Sequence, residues 1–349
     1  MKPFRLTRRA LGSAVCMTLL AGTVLFTSPT PVHAAAQGKD TLVFVNYRDL
    51  RDLNPHLYAG EMFAQEMVFE GLVTLGNDGK YHGAVAESWD ISPDGRVYTF
   101  KIRPNLKFTD GYVLDAYAVK ANFDALIDNK TRHSWLEMMR LLEGVEAPDA
   151  NTFVIKMKEA YYPMLTELAV TRPFAFVSPN VMKDGKTKNG LTAFIGSGPY
   201  VLKEHVVDEY SVFEANPDYW GKKPAIKRIV VKVIPDNQTR ILALEKGEID
   251  LIWGKNMIDA DALNKYRDSK KFSIAVSSPT STRQIVLNTT NDILKDKKIR
   301  TAIQHATNKS VISQGVFHGF EPGADTLYST SIPYCDIDLK PYKYDMKEA

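Results

Sequence analysis

Strand-like and helix-like patterns alternate along this chain from residue 41 onwards, which restricts it to architectures where sheets and helices share a core. Thr41–Asn46 is a run of β-branched and aromatic residues and reads as a strand. Apolar residues at 63, 64, 67 and 68 follow helical spacing until Gly71 interrupts them. Residues 89–103 read as a β-hairpin. Pro93-Asp94-Gly95 supplies the turn, and Tyr98, Phe100 and Ile102 alternate onto one face. Asp115 is placed to cap a helix with Ala116, Val119, Phe123 and Leu126 along one side. Thr152–Met157 repeats the strand alternation. Asp236 caps another helix, running through Leu244 and ended by Gly247. Residues 248–252 and 285–287 read as further strands, and Ile299, Ala302, Ile303 and Ala306 as the apolar face of a later helix. The class is therefore α/β or α+β.

The first 35 residues stand apart. Lys2, Arg5, Arg8 and Arg9 form a basic head, an apolar stretch runs from Ala10 to about Phe26, and Val32-His33-Ala34-Ala35 offers small residues for cleavage. This is the pattern of a secretory signal peptide over residues 1–34, too short in its apolar part for a membrane span. Thr7-Arg8-Arg9 is compatible with twin-arginine export. Without this segment, 40 of the 44 basic residues remain against 41 acidic ones, so the slight basicity belongs to the export signal and nothing points to nucleic acid. Cys335 is then the lone cysteine, which excludes an internal disulfide and a C-x-x-C metal site.

Catalytic signatures are missing. Gly196-Ser197-Gly198-Pro199-Tyr200 lacks the Lys-Ser/Thr end of a phosphate loop and the G-x-S-x-G spacing of a serine nucleophile, and no H-E-x-x-H occurs. Two arginines in aromatic company draw attention instead. Arg132 lies in Arg132-His133-Ser134-Trp135 and Arg172 in Thr171-Arg172-Pro173-Phe174. A guanidinium is a flat, permanently charged fork that pairs two-pronged with a carboxylate. Beside Trp and Phe, such forks suggest a pocket for a small anion; ordinary surface or ion-paired arginines are the alternative. At helical spacing Arg132 and Trp135 share a face, and His133, one position off it, is expected to point away. None of His56, His82, His133, His205, His305 and His318 pairs with another at i+3 or i+4, so no helical metal pair exists.

Eight motifs occur together and in order: Asn54-Pro55-His56, Ala86-Glu87-Ser88-Trp89, Asp94-Gly95 with Tyr98-Thr99-Phe100, Leu106-Lys107-Phe108-Thr109-Asp110-Gly111, Gly196 to Tyr200, Asn216-Pro217-Asp218-Tyr219-Trp220, Gly247-Glu248-Ile249-Asp250, and Leu287-Asn288-Thr289. Over about residues 40–349 the chain resembles the family 5 solute-binding proteins of ABC importers, which bind dipeptides, oligopeptides or nickel. Tyr58 with Met62-Phe63-Ala64-Gln65, the stretch from Arg132 to Glu137, Ala160-Tyr161-Tyr162-Pro163 and Arg172-Pro173-Phe174 resemble its nickel-binding members.

The resemblance implies an α/β, two-lobed periplasmic binding protein-like fold of class II. Lobe 1 would span 35–278, with an inserted subdomain at about 71–195, and 279–349 would begin an incomplete second lobe. It implies no enzyme. The implied role is a monomeric periplasmic receptor that captures nickel through a small organic chelator, free histidine or a carboxylate metallophore, and delivers it to ABC transporter permease subunits. Imidazole and carboxylate groups of such a chelator suit nickel. Carried over from the family, Arg172 anchors the chelate, Arg132 holds a second carboxylate, Trp135 walls the pocket, and Tyr58 and Met62 line its opening. The metal-contacting histidine of the nickel-binding members has no counterpart in these residues. No metal ligand is assigned in this chain, His133 being only the histidine nearest the site. A di- or oligopeptide receptor of the same family and a truncated, non-functional product are the alternative readings.

Overall fold

A computed structural model describes residues 40–254, 256–277, 281–328, 335 and 340–349. The segment read as an export signal lies outside the described residues. Thr41–Asn46 forms the strand expected of it and sits one from the edge of a five-stranded sheet. The spatial order is Tyr200–Val206, Tyr210–Ala215, Arg228–Val233, Thr41–Asn46, Leu251–Ile252. Thr41–Asn46 runs parallel to both neighbours, and the first three strands are antiparallel to one another. A strand covered on both faces must be apolar at successive positions. Accordingly Val43 and Val45 pack with Val212, Val230, Ala243 and Ile249, whereas Phe44 faces the opposite cluster with Leu53, Val68 and Phe213.

The strand expected at 248–252 is shorter, only Leu251–Ile252. Asp250 takes over its start. Its carboxylate accepts from the Val43 amide at 2.7 Å, and its own amide donates to the Val43 carbonyl at 2.7 Å. The helix before it, Asn237–Lys246, is capped by Asp236 and ends at Gly247 in the left-handed region (φ 74°), as its sequence dictates.

A second sheet is wholly antiparallel, in the order Ala86–Ile91, Val97–Ile102, Thr152–Met157, Leu142–Asp149. Its hairpin turns at Ser92–Gly95, where Gly95 adopts a φ of 68°. Tyr98, Phe100 and Ile102 are buried on one face. The helix Ala116–Asp128, capped by Asp115, lays Phe123 on this face, its ring 5.0 Å from Phe153 and 6.1 Å from Phe174. Aromatic rings buried in this way dominate core energetics, each contributing about 1.5–3 kcal/mol by burial.

The Gly-Ser-Gly-Pro-Tyr segment is a close crossing. A Cβ on Gly196 would lie 2.0 Å from the Val68 carbonyl oxygen, and one on Gly198 would lie 2.6 Å from that of Met67. Glu70 locks the crossing. Its carboxylate accepts from Ser197 Oγ at 2.7 Å, Trp220 Nε1 at 2.9 Å and Tyr219 Oη at 2.9 Å. Burial pushes the Glu70 carboxyl above the ordinary carboxylate range, against the opposing pull of these donors.

Two expectations need correction. Residues 285–287 form no strand, and Ile285 and Val286 are exposed rather than packed; a strand needs a partner, and no described strand pairs with them. The later helix, Lys297–Ala306, forms, but Ile299 and Ile303 on its apolar face are exposed at 40 % and 36 %.

Candidate functional site

The site is organised by the loop from Asn54 to Gly60. Asn54 Oδ1 accepts from the His56 amide at 3.0 Å, and its Nδ2 donates to the Thr187 carbonyl at 2.9 Å. The His56 ring is fully buried, with Nδ1 2.9 Å from Thr187 Oγ1 and Nε2 3.1 Å from the Ala175 carbonyl. A carbonyl only accepts, so Nε2 carries the proton and Nδ1 accepts from the threonine hydroxyl. Burial pushes this histidine down to about 3 and keeps it neutral. Gln65 Nε2 donates to the Leu53 and Ala59 carbonyls at 3.2 and 2.8 Å. Gly60 has a φ of 78°, and a Cβ there would meet the Asp52 carbonyl oxygen at 2.2 Å. Polar anchors and one obligatory glycine thus hold the loop in a single shape.

That shape turns three carbonyls toward the two arginines. Arg172 Nη1 donates to Tyr58 O at 3.0 Å and to Gly60 O at 3.4 Å. Arg132 Nη2 donates to Leu57 O. Among the described residues no carboxylate forms an ion pair with either guanidinium. Carbonyls orient a guanidinium without neutralising it, so both positive charges are retained, and each guanidinium keeps N–H donors beyond those used in these bonds.

Tyr58 lies between them, with backbone in the left-handed region (φ 56°). The Arg132 guanidinium sits 5.9 Å from its ring centroid, Trp135 at 5.6 Å and His133 at 5.5 Å. Its hydroxyl shares a 2.7 Å hydrogen bond with His133 Nδ1. Burial raises the Tyr58 hydroxyl to about 12, against the pull of the nearby arginines, so it stays protonated at neutral pH. His133 is fully buried, pushed down to about 4 by burial and then by Arg132, and therefore neutral at that pH. Trp135 is 65 % exposed, a large apolar ring presented to solvent beside the Tyr58 ring.

The structure therefore brings Tyr58, Arg132, His133, Trp135 and Arg172 together. Arg132 and Trp135 do not share an α-helical face. Arg132 lies in the 3₁₀ turn Lys130–His133, and Trp135 follows that turn. Met62 opens the helix Met62–Val68, two residues past Gly60, and is 40 % exposed. The sequence reading missed the Leu57, Tyr58 and Gly60 carbonyls, because every residue carries one and no side-chain pattern marks those that matter. It also missed the bond between His133 and Tyr58; the only signal was that both belong to motifs named for other reasons. Among the described residues no group of three or more His, Cys, Asp and Glu could hold a metal ion. The described residues thus suit an anionic group better than a bare cation.

Comparison with known proteins adds to this geometry. Residues 80–349 match the model of the bacterial extracellular solute-binding proteins, family 5. The chain is 40 % identical over 321 residues to the nickel-binding periplasmic protein of Escherichia coli K12, covering 91 % of this chain and 61 % of that one. It superposes on NikA from Brucella suis, solved in complex with Fe(III)-EDTA, with a TM-score of 0.86 and 43 % identity, covering 88 % of this chain and 62 % of the other. NikZ from Campylobacter jejuni, solved with Ni(L-His), gives a TM-score of 0.76 at 26 % identity, with coverage of 89 % and 62 %. The chain thus spans about three fifths of the length of these relatives.

Proposed function

This chain belongs to the bacterial extracellular solute-binding proteins of family 5, and from that membership we propose that it is the receptor of an ABC importer that captures nickel held in a small organic chelator. The observation that carries this reading is the pair of guanidiniums, Arg132 and Arg172, oriented by carbonyls and paired with no described carboxylate. Carboxylates of a chelate supply the missing acceptors. Each two-pronged guanidinium–carboxylate pair orients the ligand and is roughly twice as strong as a neutral hydrogen bond. The exposed Trp135 ring covers an apolar flank of the chelate, and Tyr58 lies between the two cations.

In this reading the metal is cargo held by the chelator, whose imidazole or carboxylate groups suit nickel. His133 is buried with Nδ1 engaged, and the Met62 thioether prefers softer ions, so neither is assigned to the metal. Capture proceeds by closure of two lobes about the ligand, and release to permease subunits follows opening. Residues 71–195, which carry the antiparallel sheet, form the inserted subdomain of the first lobe, and 279–349 begin the second. The receptor works outside the cytoplasm as a monomer, exported by the signal in residues 1–34.

Calorimetry on the complete gene product tests the assignment. Nickel with L-histidine should bind, and Arg172→Ala should weaken it more than about tenfold, the scale of one lost charge-assisted pair. Unchanged affinity in that variant sinks the role of Arg172. Tight binding of a dipeptide, with none of the nickel chelate, makes the protein a peptide receptor instead.

A further inference from the structure

Tyr58 touches every other residue of the cluster. Its carbonyl accepts from Arg172, its ring faces the Arg132 guanidinium and Trp135, and its hydroxyl meets His133. The phenol oxygen lies on the axis about which the ring turns, so a bond at that oxygen fixes the direction of the ring axis, the choice among staggered χ1 wells, while packing against Arg132 and Trp135 sets the rotation about it. A 2.7 Å bond to a buried partner selects one such direction. We propose that His133 is a positioning residue: it holds the Tyr58 ring in one orientation, and through that ring sets where Arg132 and Trp135 meet the chelate, without touching the ligand itself.

The chemistry of the buried imidazole supports this assignment. Its Nδ1 is bonded to Tyr58, whereas Nε2 is buried and bonded by no described residue. A desolvated polar atom without a partner lowers stability. An apolar ring would fill the same volume with no such penalty, so packing does not account for a histidine here. The bond to Tyr58 is what an apolar ring cannot make.

The inference rests on the receptor reading above. The test uses the complete gene product with nickel–L-histidine as probe, followed by calorimetry and thermal unfolding. His133→Phe should weaken binding about fivefold, the scale of one net hydrogen bond, while the thermal midpoint stays level or rises. Tyr58→Phe should show the same loss, and the double variant no more than either single one. His133→Asn, which places an amide where Nδ1 lies, should restore affinity to within about twofold. His133→Leu replaces the phenylalanine variant if that one fails to fold. Wild-type affinity in the apolar variant, or losses that add in the double variant, overturn the proposal. If the unaltered protein does not bind the chelate, the receptor reading alone fails. A long-range ¹H–¹⁵N spectrum of the free protein then decides the positioning role. His133 should show one neutral tautomer whose ring nitrogens shift in Tyr58→Phe, and absence of that shift overturns it.

Discussion

Lowering the pH from 7 to 4.5 should remove about 5 kcal/mol of folding stability through two histidines alone. His56 and His133 are both fully buried. Burial pushes His56 down to about 3, with the bond to the Ala175 carbonyl opposing and His133 adding to the shift. Burial, and then the Arg132 charge, push His133 down to about 4. In the unfolded chain both titrate near about 6.5. Between the two states' values the unfolded chain takes up protons that the fold excludes. Stability is therefore intact above about pH 6.5 and falls as the pH drops toward the folded values. At pH 4.5 an unfolded histidine is about two units below its pKa, which amounts to about 2.5 kcal/mol for each ring. Near pH 5 the slope approaches about 2.7 kcal/mol per pH unit, the signature of two protons.

Glu70 acts with the opposite sign. Its raised carboxyl takes up a proton in the fold first, so it returns part of the loss as the pH falls. Asp78, Asp94 and Asp128 are held below the ordinary range by His82, Ser92 and Lys188, and they act at the acid end of the window and beyond. Urea unfolding followed by tryptophan fluorescence, at steps from pH 7 to 4.5, reads the profile. His133→Phe should retain about half of the loss, since His56 still titrates. A flat profile, or an unchanged slope in that variant, refutes the argument from buried neutral imidazoles.

Two further perturbations probe the Gly-Ser-Gly-Pro-Tyr crossing. Glu70→Gln keeps the shape, its amide oxygen accepting from Ser197 and Trp220 and its NH₂ donating to the Tyr219 hydroxyl, so the three bonds persist between neutral groups. It should lower the urea-derived stability by no more than about 1.5 kcal/mol, the difference between charge-assisted and neutral bonds; a loss above about 3 kcal/mol contradicts that exchange of partners. Gly198→Ala inserts a methyl 2.6 Å from the Met67 carbonyl oxygen and should lower stability by about 1–3 kcal/mol. An unshifted thermal midpoint there contradicts the close approach of the two segments.

Local signals were legible wherever the physics is local. The caps at Asp115 and Asp236, the glycine stop at 247 and the alternation in Thr152–Met157 need only neighbours in sequence, and each appears where its pattern lies. Residues 285–287 share the β-branched composition of a strand and form none, because a strand also needs a partner that composition does not specify. The segment 248–252 failed in part for a subtler reason. Asp250 was counted as a strand residue, yet its side chain replaces a backbone acceptor in the pairing with Val43. At the site, Arg132 and Arg172 were singled out for their aromatic neighbours in sequence. The contacts that orient them are instead backbone carbonyls 75 and 114 residues away.

The sequence by itself determined the class of the fold, the bounds of several capped or alternating elements and the family, because periodicity, capping chemistry and ordered motifs are written in side-chain identity. Only the tertiary structure decided that Leu57, Tyr58 and Gly60 present carbonyls to two arginines, that His133 is buried behind Tyr58, and that Glu70 ties two glycine-rich and aromatic motifs into one crossing. Those outcomes depend on where backbone oxygens and buried rings come to rest, and that is settled by the packing of segments distant in the chain.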